Sequence, residues 1–119
     1  MTDKFQQRGD VINRTLTAIV ASGGVVVMRG TIGIALKAGA IGDLVACAVE
    51  GVYEVPKVPG AVFAQGEKLL WDASAGQFDD DAAVAAAGDI MGAVVAWVPG
   101  LNGETTALVK LTPGNTTLT

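Results

Sequence analysis

Glycine and proline interrupt this 119-residue chain so often that one passage alone, Asp79 to Ala87, suits a helix. Between the interruptions stand short runs rich in Val, Ile and Thr, whose β-branched side chains are stiff in a helix and pack well on a pleated surface. Part of Val11 to Val20 reads as a strand. Val25 to Met28 and Thr31 to Leu36 flank Arg29-Gly30 and read as a hairpin. Leu44 to Glu50 and Gly51 to Val55 are strands around Gly51, where a glycine within a strand pattern marks a bulge or a close backbone approach. Pro56 and Pro59 lack an N–H and are expected to end that pairing. Glu67 to Trp71 turns back through Asp72 to Gly76 onto Gln77-Phe78, and Ile90 to Val98 pairs with Thr105 to Leu111 across Pro99 to Gly103.

The exception, Asp79 to Ala87, has acidic residues where a helix N-terminus favours them and Gly88 where a helix would stop, which predicts one or two helical turns. Pro113 to Thr119 reads as a polar tail. Many short strands separated by turns at intervals of about 8 to 12 residues predict an all-β fold. It is expected to be a small antiparallel β-sandwich or barrel-like domain with at most one short helix and an extended N-terminal arm. The composition breaks at Val11, so residues 1–10 form the arm and 11–119 a single β-domain, the count that this length favours.

Half of the residues are hydrophobic but only 5% are aromatic, so the core is built from small side chains and association with further copies is an economical way to bury more apolar surface. Eight basic against twelve acidic residues, with the basic ones scattered, exclude direct nucleic-acid binding, which draws on clustered Lys and Arg. The first fourteen residues, with Lys4, Arg8 and Arg14 against Asp3 and Asp10, make a mildly basic arm on an acidic body. No apolar run approaches the ~18 residues of a membrane span, and no apolar stretch follows MTDKFQQRGD as a signal peptide requires. A soluble product without membrane attachment is expected.

Catalytic chemistry has little to work with. The chain has no histidine, which removes the Ser-His-Asp and Cys-His arrangements and the zinc-hydrolase motif. The single Cys47, within Leu44 to Val49, reads as a small buried apolar side chain. Neither GxxxxGK[ST] nor GxGxxG occurs, so the glycines are turn glycines. Asp79, Asp80 and Asp81 lack the EF-hand spacing and read as a solvated loop. Glu67 and Asp72 have no sugar-binding cleft implied around them. A biotinyl or lipoyl carrier would display a lysine at a hairpin tip, whereas Lys57 lies between prolines and Lys110 within a strand. The sequons Asn13-Arg14-Thr15 and Asn115-Thr116-Thr117 have no secretory context. No catalytic, metal-binding or cofactor-binding residue is expected. Trp71 and Trp97 read either as core residues or as the anchor of a subunit contact, since Trp is enriched at interface hot spots.

Several segments in a fixed order carry a resemblance: Phe5-Gln6-Gln7-Arg8-Gly9-Asp10, Gly24-Val25-Val26-Val27, Gly33-Ile34-Ala35, Gly51-Val52-Tyr53-Glu54-Val55-Pro56-Lys57, and Gly66 to Gly76 with Trp71-Asp72 inside it. Gly92-Ala93-Val94 and Ala107-Leu108-Val109-Lys110-Leu111 follow. In order and spacing the chain resembles the small capsid cement, or head decoration, proteins of tailed phages and prophages. The Asp79 to Asp81 run is more acidic than is usual there, and the first strand less aromatic. Some members are labelled recombinase-like, which the missing phosphate-loop glycines and lysine argue against here.

The resemblance implies a structural protein, not an enzyme, that binds the outside of the expanded head shell and stabilises it, usually as a trimer. Its partner would be the major capsid protein and its place the virion exterior, after synthesis in the bacterial host cytoplasm. Within that reading, Lys4, Phe5, Gln6 and Arg8 of the arm are the expected capsid contacts, and Tyr53 and Trp71 the expected subunit contacts. The competing reading is a carbohydrate-binding or adhesive β-module displayed on a virion, which requires an exposed aromatic platform.

Overall fold

A computed structural model describes residue 4 and residues 6–119. Among these the chain is all-β without a helix, and its ten strands form two antiparallel sheets in a sandwich-like domain. The small sheet has the order β1-β4-β3-β2, from β1 (Val11–Thr15), β2 (Val25–Met28), β3 (Thr31–Ala35) and β4 (Leu44–Ala48). The large sheet has the order β5-β9-β8-β6-β7, from β5 (Val52–Pro56), β6 (Lys68–Asp72), β7 (Gln77–Asp79), β8 (Ile90–Ala96) and β9 (Thr106–Leu111). A two-residue β10 (Thr117–Leu118) also pairs with β8.

The three expected hairpins form, as β2–β3, β6–β7 and β8–β9. Gly51 carries the chain from one sheet to the other. Its φ of 115° is a conformation that side chains other than glycine's rarely adopt, and its open Cα leaves room for the Tyr53 ring. Gly92 (φ 85°) sits where the β6–β8 register shifts. A Cβ there would strike the Asn115 carbonyl, in the segment that turns at Pro113-Gly114 between β9 and β10. The end of the chain is therefore not a loose tail: residues 117–118 extend the ladder along β8, and Thr119 N–H donates to the Asp89 carbonyl at 2.9 Å.

Two further expectations are corrected. Pro56 does not end the pairing of β5. It lies on an edge strand opposite Thr106, where a missing N–H is tolerated. The next two amides then divide between neighbours, Lys57 N–H donating to Thr105 and Val58 N–H to Phe78, each at 2.9 Å. The Lys57–Phe78 bridge is parallel and brings the two ends of the large sheet together, so that sheet rolls toward a barrel. Asp79 closes β7, and residues 80–87 form turns and irregular backbone, not helical turns. Carboxylates hold the backbone amides in tight local turns: Asp79 accepts from Asp80, Asp80 from Ala82 and Glu67 from Asp81, while the Ala86 amide, which a helix would pair with Ala82, donates to Asp89.

The main core lies inside the large sheet and under one face of the small one. Ile32, Ile34 and Ala48 pack there with Phe63, Leu69, Trp71, Phe78, Ile90, Val94 and Val109. A second, smaller cluster of Leu16, Val26, Ala35, Val45 and Cys47 lies on the other face of the small sheet.

Candidate functional site

The most unusual side chain inside the fold is Lys57, which is 0% exposed. A buried ammonium is tolerated only when hydrogen bonds replace its hydration. Here Nζ donates to the carbonyls of Val58 at 2.9 Å, Pro59 at 3.3 Å and Glu104 at 3.3 Å, and lies 5.8 Å from the centre of the Phe63 ring. Glu104 lies 47 residues further along the chain, so one side chain fastens the Pro56–Pro59 corner to the β8–β9 turn. A lysine consumed in this way cannot be a displayed carrier. Cys47 is buried, as expected, and burial pushes its thiol above the ordinary value despite the opposing Arg14 charge. Among the described residues no group of three or more His, Cys, Asp or Glu side chains is placed to hold a metal ion.

Of the expected contact residues, Lys4, Gln6 and Arg8 are exposed, whereas Phe5 lies outside the described residues. Arg8 meets the Asp10 carboxylate at 3.5 Å, an open surface pair. Tyr53 is half-buried and packs against the main core. Trp71 is only 8% exposed: it stands opposite Phe78 across the β6–β7 ladder, with ring centres 4.9 Å apart and planes tilted by 57°. The tryptophan with surface to offer is Trp97, 48% exposed.

The ladder explains this difference. Directly paired residues share a face, so Val52, Glu54, Leu108, Lys110 and Val95 all point outward from the large sheet. Trp97, two residues beyond Val95 and hydrogen-bonded through its N–H to Leu108, continues that face. Val98 and Leu101 extend it, beside a groove of about 240 Å³ bounded by Glu54, Phe63, Pro99 and Glu104. Alternation along Ile90 to Val98 was the available signal, since Val94 and Ala96 are buried while Val95 and Trp97 are not. No such signal existed for β6, where Leu69, Leu70 and Trp71 are all buried and alternation is lost.

The small sheet presents a second surface. A groove of about 170 Å³ runs between β1 and β2, lined by Arg14, Leu16, Ile19, Val20 and Val26. Exposed Leu36, Ile41 and Leu44 lie elsewhere on this sheet and its turns. Both surfaces are apolar with a few charges at their margins, which suits contact between proteins better than chemistry on a small molecule.

Comparison with known families decides the assignment: a family model described as phage cement protein matches residues 6–111. The chain belongs to the phage cement protein family. No curated protein matches the chain. This cement protein thus belongs to a structural family of the phage capsid, which is not a class of enzymes. The match starts at Gln6 and ends at Leu111, the last residue of β9, so it spans both sheets, the Lys57 corner and the surface around Trp97.

Proposed function

We propose that this cement protein binds the outside of the expanded head shell through the major capsid protein and stabilises the shell as a homotrimer. The observation that carries this reading is the family match across nearly the whole β-domain. The architecture supports it. A rolled sheet closed by Lys57 gives a stiff body, and Lys4, Gln6 and Arg8 are exposed ahead of β1. Three arms on one trimer raise affinity over a single arm by about 10² to 10⁴ without any new kind of contact. Tyr53 contributes to the subunit contact through its open side. Trp71 contributes through the core beneath it, and Trp97 adds the exposed ring.

Deletion of residues 1–10 tests the arm. Truncated protein is expected to sediment with expanded heads at sharply lower occupancy than the full chain, and unchanged occupancy removes the arm from the reading. The virion-displayed sugar-binding alternative finds one exposed tryptophan beside an acidic groove. A glycan array without hits, together with sedimentation on expanded heads, separates the two.

A further inference from the structure

The charges of this chain are segregated by sheet. Residues 1–49, the part of the chain within which the strands of the small sheet lie, carry Lys4, Arg8, Arg14, Arg29 and Lys37 against Asp3, Asp10 and Asp43, a net of +2. Residues 50–119, which build the large sheet, carry three lysines against nine carboxylates, a net of −6. One of those lysines is the buried Lys57. The acidic excess gathers on the loop after β7, where Asp79, Asp80 and Asp81 follow one another close to Glu67.

The two lobes also carry the two most exposed large aliphatic side chains. Val84, 93% exposed, projects from the acidic loop. Ile19, 80% exposed, stands at the lip of the groove between β1 and β2. In that groove Arg14 Nε is buried and finds no hydrogen-bond acceptor among the described residues. An orphaned donor of this kind is costly, and because Arg14 as a whole is only half-buried its guanidinium can turn to meet an acceptor seated in the groove. The acidic loop has the opposite deficit: Asp81 is held above the ordinary carboxyl range by desolvation and by the nearby Glu67 and Asp80 charges, a crowding that an incoming cation relieves.

We propose that the 79–87 loop of one copy docks into the β1–β2 groove of the next, with Val84 against Leu16, Ile19 and Val20 and the Asp80–Asp81 carboxylates on the Arg14 guanidinium. The occupant is thus a second copy of this chain, selected by charge complementarity between its two lobes. Because the two surfaces differ, the contact is heterologous and head-to-tail, and it closes into a ring when the rotation between copies is a third of a turn. This inference rests on the trimeric reading above and adds a second pair of surfaces to the Tyr53, Trp71 and Trp97 contact proposed there.

Charge reversal in the full-length chain tests it. Arg14→Glu alone, and Asp80→Lys with Asp81→Lys, are each expected to weaken self-association about tenfold or more. All three changes in one chain are expected to restore it. Light scattering reads the outcome as a mass near three times the 12.0 kDa of the chain or as the single-chain mass. Val84→Asp, on a side chain that supports nothing in the fold, gives the same weakening without risk to folding. With an added disulfide such as oxidised glutathione to take up the two electrons of each bond, an Ile19→Cys/Val84→Cys chain is expected to form covalent rings that neither single variant forms.

The inference is overturned if the wild-type protein stays at the single-chain mass, if its trimer survives Arg14→Glu and Val84→Asp intact, or if the combined reversal fails to restore assembly in a folded protein. Sedimentation with expanded heads, run in parallel, keeps the two ideas apart. A wild-type trimer that decorates heads and ignores these changes refutes the docking alone. A charge-swappable trimer that never binds heads refutes the head-shell reading and leaves the docking standing.

Discussion

The two sheets solve the same folding problem in opposite ways. The large sheet rolls until its ends meet at the Lys57–Phe78 bridge and fills its interior with the big side chains Phe63, Trp71 and Phe78. The small sheet stays open. Its first strand is exposed or half-exposed at every position, and the cluster on its outer face contains nothing larger than Leu16. Stability is therefore concentrated in one half and accessible surface in the other, a division that suits a protein whose work is to be held by neighbours. An open strand edge with a thin cluster behind it is a liability in a solitary monomer and an asset in an assembly.

The largest expected effects come from opening the closed half. Phe78→Ala removes the partner of Trp71 and the residue at the closing bridge, and should cost about 3–5 kcal/mol. Lys57→Met keeps the bulk of the stem but leaves the carbonyls of Val58, Pro59 and Glu104 without their shared donor. The Val58 and Pro59 carbonyls still accept from the amides of Ala61 and Gly103, so the cost stays below that of three full bonds: at about 1.5–3 kcal/mol for a hydrogen bond to a charged group, a loss of about 3 kcal/mol is expected. Thermal unfolding should register it as a fall of about 10 °C or more. A Lys57→Met protein that melts with the wild type would show that the corner holds without its lysine and would remove the closure from the comparison.

A smaller effect is expected in the open half. Leu16→Ala should cost about 2 kcal/mol, at the low end for such a change, because Leu16 borders a groove into which its surroundings can relax. Amide exchange sharpens the contrast. The amides of β1 and β4 should exchange through local opening, and faster still in Leu16→Ala, while those of β6 and β8 should exchange only with global unfolding. Equal protection in both sheets would mean that the two halves unfold as one unit and that the division of labour has no energetic basis.

The sequence displayed most of the strands because their boundaries are set by local chemistry. Arg29-Gly30 and Pro99 to Gly103 are turn signals that need no tertiary partner, and both hairpins formed where they predicted. What was not legible depends on residues far along the chain. The turns of 80–87 replace a helix partly because Glu67 and Asp89 supply acceptors from outside the segment. The burial of Lys57 depends on the Glu104 carbonyl, and Pro56 stays in its ladder because β5 happens to be an edge. Trp71 and Trp97 look alike in composition. They are told apart by what covers the outer faces of β6 and β8, and strand alternation alone could have assigned just one of them.

The smallest expected effect is a dependence on acid pH at the β6–β7 end of the large sheet, where Asp72 and Asp81 are shifted in opposite directions. Asp72 is held below the ordinary carboxyl range chiefly by the Ser74 hydroxyl, at 2.8 Å, and then by the amides of Ala75 and Ser74. Its folded-state pKa lies below its unfolded value, so it contributes stability above the unfolded pKa of about 3.9, and that contribution is lost as pH falls through the folded pKa. Asp81 has the reverse sign. Desolvation, with the neighbouring charges, raises its folded-state pKa, so the contribution it makes is fully present below the unfolded pKa and lost as pH rises through the folded one. Ser74→Ala should therefore destabilise the protein slightly at neutral pH and leave it unchanged in strong acid. In dilute, unassociated chains Asp81→Asn should stabilise the fold slightly at neutral pH and likewise do nothing in strong acid. Both groups face solvent, so screening keeps the effects small, and carboxyl chemical shifts followed by NMR across the acid range are the sensitive reading. If Ser74→Ala leaves the Asp72 midpoint where it was, the hydroxyl is not what depresses it. If Asp81→Asn brings no gain, the crowding on the acidic loop is already relieved in solution, as it would be in a copy whose loop is seated on its neighbour.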